Sequence, residues 1–119
     1  MKDFRTLKVW QKAHRLTLKV YEATRRFPRE ELYGLTGQMR KSSSSVPMNI
    51  AEGCGRGSDL EFGRFLQIAM GSASELEYQL ILARDLAYLK PEEYEDLAGD
   101  TAEVKRMLAP LVGKLKAER

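Results

Sequence analysis

From Ser58 to about Leu89, apolar residues recur every three or four positions, and this period constrains the fold more than any other feature of the chain. Phe62, Phe65, Leu66, Ala69, Ala73, Leu76, Leu80, Ala83 and Ala87 form one continuous stripe at helical spacing. A second set, Leu60, Ile68, Tyr78, Leu82, Leu86 and Leu89, lies roughly opposite. A helix apolar on two sides is either surrounded within its own domain or covered by another molecule. The chain has 119 residues, enough for a single domain, and a four-helix domain has no fully surrounded helix. The spacing therefore predicts that a second subunit covers this helix.

The remaining segments are helical too, and no strand-like alternation occurs anywhere. A first helix is predicted over about 6–27, where Val9, Ala13, Leu16, Val20, Thr24 and Phe27 share one face and Pro28 stops the run. A second, over about 31–52, passes through Leu35, Met39, Ser42, Val46 and Ile50 as one helix kinked at Pro47. It ends at Gly53, which opens a glycine-rich turn to Gly57. The third, 58–89, begins with the capping box Ser58-Asp59-Leu60-Glu61. The fourth, 91–116, has Pro91 in its first turn and acids Glu92, Glu93, Glu95 and Asp96 where the helix dipole is positive. Pro110 is expected to bend it. Short loops make an all-α, antiparallel up-down-up-down bundle the natural arrangement of one domain spanning 1–119.

The composition excludes several classes. At 43% hydrophobic and 31% charged residues, the chain is not of the disordered kind. Its single cysteine, Cys54, rules out an internal disulfide and a Cys-rich zinc site, and suggests a reducing compartment. The single histidine, His14, leaves a metal site short of its commonest ligand, and no Glu-x-x-His pair of the di-metal bundle type occurs. No metal and no cofactor are expected. There is no membrane-spanning apolar run and no signal-peptide pattern at the start, so a cytoplasmic setting is expected.

Charge is unevenly placed. The formal net charge is +3, yet residues 1–57 carry 12 Lys/Arg against 5 Asp/Glu, and residues 58–119 carry 8 against 12. Lys8, Lys12, Arg15, Lys19 and Arg26 form a ladder on the outer side of helix one, with only Glu22 among them as a balancing acid. Such a ladder meets the phosphates of RNA or DNA without reading bases, driven by counterion release. Its plainer alternative is an ordinary solvated face. Glu52 and Glu75 stand beside small or apolar residues. They are expected to be structural, accepting hydrogen bonds from Ser45, Asn49 or Arg40 across a close helix crossing, rather than catalytic. Ser42 to Ser45 are expected to face Gly71-Ser72-Ala73-Ser74, small residues allowing close approach. No base stands ready to make any of these serines a nucleophile, so no catalytic residue and no enzyme are expected.

Taken together, Leu7-Lys8-Val9-Trp10-Gln11-Lys12-Ala13, Phe27-Pro28-Arg29-Glu30-Glu31, Ser45-Val46-Pro47-Met48-Asn49-Ile50-Ala51-Glu52-Gly53 and Ala69-Met70-Gly71-Ser72-Ala73-Ser74-Glu75-Leu76 resemble the four helix bundle protein family. That family was first noted as proteins encoded in intervening sequences of bacterial 23S ribosomal RNA genes. The resemblance runs from about Phe4 to Leu115, and the chain departs from it at Ser42 to Ser44 and at Pro110. It implies a left-handed up-down bundle assembling into a homo-oligomeric ring, a homopentamer. The chain is also similar to the accessory variability determinant of diversity-generating retroelements, which implies a basic barrel with a reverse transcriptase and nucleic acid as partners. The resemblance makes Asn49, Glu52, Gly53, Gly71 and Glu75 helix-crossing determinants and implies no enzymatic activity. The expected function is an adaptor holding RNA or DNA backbone on its basic surface. The alternative is a protein–protein scaffold for a partner such as a reverse transcriptase, without direct nucleic-acid contact.

Overall fold

The computed structural model describes residues 3–117, and side chains as far as residue 113. Four helices make up the fold: α1 (Lys8–Thr24), α2 (Leu35–Gly55), α3 (Asp59–Asp85) and α4 (Pro91–Ala117). Short 3-10 turns at Phe4–Thr6 and Arg29–Glu31 precede α1 and α2, and no strand occurs among the described residues. The body measures 44 × 21 × 21 Å.

The helix ends follow local chemistry. The carboxylate of Asp3 caps the first turn by accepting from the Arg5 amide. α1 stops at Thr24, earlier than the predicted 27, and Phe27 becomes a buried plug whose ring lies 5.3 Å from that of Tyr88. α2 starts at Leu35 and not near Glu31, because extended Pro28 and the 3-10 turn intervene. It also outlasts its predicted end. Gly53 is not a turn residue but a close-approach residue inside the helix, and the reversal is made by Gly57 at φ 81°. At the head of α3 the Ser58 hydroxyl accepts from the Glu61 amide, whereas the Glu61 carboxylate turns to Arg64 at 2.9 Å, so only half of the capping box forms. α3 ends at Asp85, where Tyr88 N–H donates to Ala83 O and Ala87 N–H to Arg84 O around a left-handed Ala87.

Pro47 shows how tertiary contacts absorb a helix-breaking residue. Lacking an N–H, it leaves the Ser43 carbonyl four residues back without its usual donor. The Thr17 hydroxyl of α1 lies 2.9 Å from that oxygen and 3.0 Å from Ala13 O, and its one proton serves both. The serine run is accommodated by back-bonding. Ser43 and Ser44 donate to Arg40 O, Ser42 meets Gln79 of α3, and Ser45 meets Ser72 at 2.9 Å.

Packing joins α1 to α2, α2 to α3, α3 to α4 and α4 back to α1, and the backbones of the diagonal pairs lie farther apart. Partner numbers run in opposite directions at three of these seams: Thr17 with Ser43 and Thr24 with Arg40, Ser42 with Gln79 and Ser45 with Ser72, Lys12 with Asp100 and Lys19 with Asp96. Leu16 and Val20 of α1, Met39, Val46 and Ile50 of α2, Leu66, Leu76 and Leu80 of α3, and Val104 and Leu108 of α4 fill the common core. Leu89, assigned to the outer stripe from its spacing, is 5% exposed and belongs to this core, because the chain has left the α3 axis after Leu86.

Candidate interaction surfaces

The outside of the bundle carries two distinctive surfaces, one charged and one apolar, set by how α1 and α3 are turned about their axes. The cations of α1 do not form a uniformly free outer ladder. Their stripe lies on the flank of α1 that meets α4, where acids recur at matching helical spacing. Lys12 Nζ lies 3.0 Å from Asp100 Oδ1, and Lys19 Nζ lies 2.6 Å from Asp100 Oδ2 and 2.7 Å from Asp96 Oδ2. Arg26 pairs closely with Glu93, whose other oxygen caps α4 by accepting from the Lys90 amide at 2.9 Å. Lys8 and Arg15 are exposed and have no carboxylate partner among the described residues. With Lys12, they border an open cleft of about 610 Å³ whose far wall carries Asp100 and Glu103.

The first-turn acids of α4 were expected from the helix dipole alone, and Asp100 was not singled out at all. A signal was available: Glu93, Asp96, Asp100 and Glu103 repeat every three or four residues, and so do the cations of α1. Reading them together requires that the first and last helices be neighbours, which the closed packing supplies.

Burial alone pushes the Asp100 carboxyl up, but hydrogen bonds from Lys19 and Lys12 outweigh it and hold the group below its ordinary 3.8. For Lys19, burial pulls down, while hydrogen bonds to Asp100 and Asp96 win and hold it above 10.5. A carboxyl depressed by folding stabilises the fold above pH 3.8 and loses that contribution as pH falls through its folded value. An amine raised by folding contributes fully below pH 10.5 and loses it as pH rises through its own. Asp100→Asn is therefore expected to lower stability by about 1 kcal/mol at pH 7, discounted for partial exposure. In denaturant melts that difference should shrink once pH falls below the folded pKa of Asp100. An unchanged difference at low pH would contradict the pairing.

The second surface lies on α2 and α3. Ile68 is 48% exposed and Tyr78 61%, and Leu60, Leu86 and the α2 residue Met48 are exposed as well. Leu82 is half-buried. The stripe predicted to be apolar on a second side is thus present on the outside of α3, shortened by Leu89.

The five family-signature residues divide between inside and outside. Asn49 is half-buried, its amide nitrogen donating to Ser45 O at 2.8 Å and Ser45 Oγ at 2.9 Å. Gly53 is buried where α2 crosses α3. Glu52, Gly71 and Glu75 make no helix crossing. Glu52 is exposed and paired with Arg56 at 3.1 Å, Glu75 is exposed, and a Cβ added at exposed Gly71 would meet nothing within 4 Å. The expected hydrogen bonds to these glutamates are not among those that Ser45, Asn49 and Arg40 make, which go to Ser72, Ser45 and Thr24, and both glutamates are exposed. Glu52, Gly71 and Glu75 instead share the outer surface with Met48, Ile68 and Tyr78.

Among the described residues, no group of three or more His, Cys, Asp or Glu side chains is placed to hold a metal ion. His14 is exposed and stacks on Trp10 at 5.1 Å, and Cys54 is buried. None of the described helices is long and apolar enough to cross a membrane.

A family model described as 23S rRNA-intervening sequence protein matches residues 5–110. Among solved structures, a protein of unknown function from the S23 ribosomal protein family of Bacteroides thetaiotaomicron is similar over 88% of this chain and 95% of that one, with a TM-score of 0.82 and 25% identity. No curated protein matches the chain.

Proposed function

Because this chain belongs to the 23S rRNA-intervening sequence protein family, we propose that it is a non-enzymatic cytoplasmic adaptor. Its copies join through the α2–α3 surface into a ring of up-down bundles, five in number as the family resemblance implies, and the assembly holds RNA or DNA by its backbone. The observation that carries this reading is the set of exposed apolar side chains Leu60, Ile68, Tyr78 and Leu86 along α3 and its end, together with Met48 of α2. Their alignment on one side of a helix supports an association surface there. Gly71 adds weight. A mid-helix glycine costs about 1 kcal/mol against alanine, and nothing within its own chain approaches it closely. Close approach by a second copy gives it a use.

Nucleic-acid contact then falls to cations that the fold does not neutralise. Of the α1 ladder these are Lys8 and Arg15. At low salt the protein is expected to retain single-stranded RNA on a filter, with affinity falling steeply as salt rises. Lys8→Glu with Arg15→Glu should weaken retention about tenfold or more while helical content stays constant. Absence of retention by the parent protein at low salt would remove nucleic acid from the reading.

A second reading has its own support. The pairing of Lys12, Lys19 and Arg26 with α4 leaves less free charge than a dedicated backbone binder would present. That favours a scaffold for a protein partner such as a reverse transcriptase. Capture from the native host separates the two: nuclease treatment removes a partner bridged by nucleic acid and leaves one bound directly.

A further inference from the structure

At the end of the bundle where α1 gives way to α2, Phe27, Pro28 and the turn at Arg29–Glu31 enclose one side of a cleft of about 290 Å³. Arg25, Arg29 and Arg40 border it, and no carboxylate does. Arg40 is held in place: its Nε donates to Thr24 Oγ1 at 2.9 Å, and its guanidinium carbon sits 4.9 Å from the centre of the Tyr21 ring. Its two terminal nitrogens have no carboxylate partner among the described residues. Arg29 is exposed and equally unpaired. Arg25 makes a 3.4 Å contact with Glu22 in which both side chains are largely exposed, a pairing easily given up.

The same cleft is bordered by Thr36. This residue is 3% exposed, and its hydroxyl is the one buried side-chain polar atom among the described residues with no hydrogen-bond partner. Buried polar groups are almost always paired, so an orphan needs an explanation. A ligand oxygen would supply one. The nearby Glu31 carboxylate is already engaged, accepting from the Leu35 amide at 3.1 Å and from the Tyr88 hydroxyl at 3.0 Å.

We propose that this arginine-lined cleft binds a 5′-phosphomonoester of a nucleotide. Planar guanidinium groups, of which only that of Arg25 has an acidic partner, match the charge and the paired oxygens of a phosphate dianion, and the Thr36 hydroxyl donates to a further oxygen. The cleft exceeds what a lone phosphate fills and stands at the small end of ligand sites. Phe27 and Leu32 line its apolar part and offer a surface for the base. One nucleotide fits this description, either free or at the 5′ end of an RNA strand. The assignment does not depend on the adaptor reading.

Calorimetric titration with adenosine 5′-monophosphate and with adenosine tests it. The monophosphate should bind and adenosine should not, and inorganic phosphate should compete. Arg29→Glu, a change on the surface, should weaken binding about tenfold or more. Thr36→Val should also weaken binding, yet leave the melting temperature equal or higher, because it removes an orphaned hydroxyl at constant shape. A merely structural Thr36 would not move the affinity. Two otherwise identical RNA decamers, one 5′-phosphorylated and one with a 5′-hydroxyl, separate the sources. Phosphate-dependent decamer binding assigns the cleft to RNA ends, and binding of the mononucleotide alone assigns it to free nucleotides. If adenosine binds as well as its monophosphate, or if both variants bind the monophosphate like the parent, the proposal is overturned.

Discussion

Ile68→Asp together with Tyr78→Asp is expected to convert an assembly into a folded monomer of 13.6 kDa, read by light scattering. Both side chains are about half exposed or more in the single chain, so within it each new carboxylate stays in water. Surface substitutions of this kind change stability by no more than about 0.5 kcal/mol. In an interface between copies the same carboxylates are buried without partners, at a cost of several kcal/mol each. Because every copy in a ring repeats the cost, association should be lost altogether. Circular dichroism and the melting transition should stay close to those of the parent at matched concentration, once the stabilisation due to assembly is subtracted. A parent protein that is already monomeric at micromolar concentration would end the assembly proposal, and with it the explanation offered for Gly71.

Gly53→Val is expected to destabilise the chain by about 3 kcal/mol, or to prevent folding. A Cβ at this position would lie 3.0 Å from Phe62 Cδ1, 3.0 Å from Phe65 Cβ and 3.4 Å from Phe62 O. The Phe62 ring can swing aside, but Phe65 Cβ is attached directly to the backbone of α3 and yields only if the helix moves. Alanine should recover about 1 kcal/mol of helix propensity and still lose on balance, since overpacking costs about 1–3 kcal/mol. Valine drives two further methyl groups into the same space. Gly55→Ala is the control: it lies in the same helix with nothing within 4 Å of its added methyl, and should be neutral or stabilising in urea titrations. Equal behaviour at the two positions would show that α2 and α3 do not approach closely at Gly53.

These expectations separate what could be read along the chain from what could not. Boundaries that depend on a residue and its immediate neighbours came out close to expectation: Ser58 before α3 and Pro91 opening α4. The α1 and α2 ends were misplaced where several glycines or a Pro-led turn left the choice open. Gly53 and Gly57 look alike in the sequence, yet one is spared a Cβ because α3 is close and the other because its φ is positive. The candidate sites divide in the same way. The spacing of Lys8, Lys12, Arg15, Lys19 and Arg26 puts them on one side of the first helix, and the structure keeps the first four on α1 with Arg26 just past its end. It also pairs Lys12, Lys19 and Arg26 with acids some seventy to ninety positions later, judging from Arg26 with Glu93 and Lys12 with Asp100. Glu52 and Glu75 were expected inside because their neighbours are small, but small neighbours describe the seam and not the side of the helix on which each carboxylate sits.

Helical period, capping and breaking are local: they arise from backbone sterics and hydrogen bonds within a few residues, and the amino-acid order by itself determined four helices, their approximate limits and the two apolar stripes of α3. The rotation of each helix against its neighbours is a long-range matter, chosen by which arrangement buries the core residues together while leaving no buried carbonyl or charge alone. Only the tertiary structure decided that the cations of α1 would meet α4, that Thr17 would serve the carbonyl orphaned by Pro47, and that Arg25, Arg29, Arg40 and Thr36 would share one cleft. Energies of that kind depend on distances between residues far apart in the chain, and such distances exist only once the chain has folded.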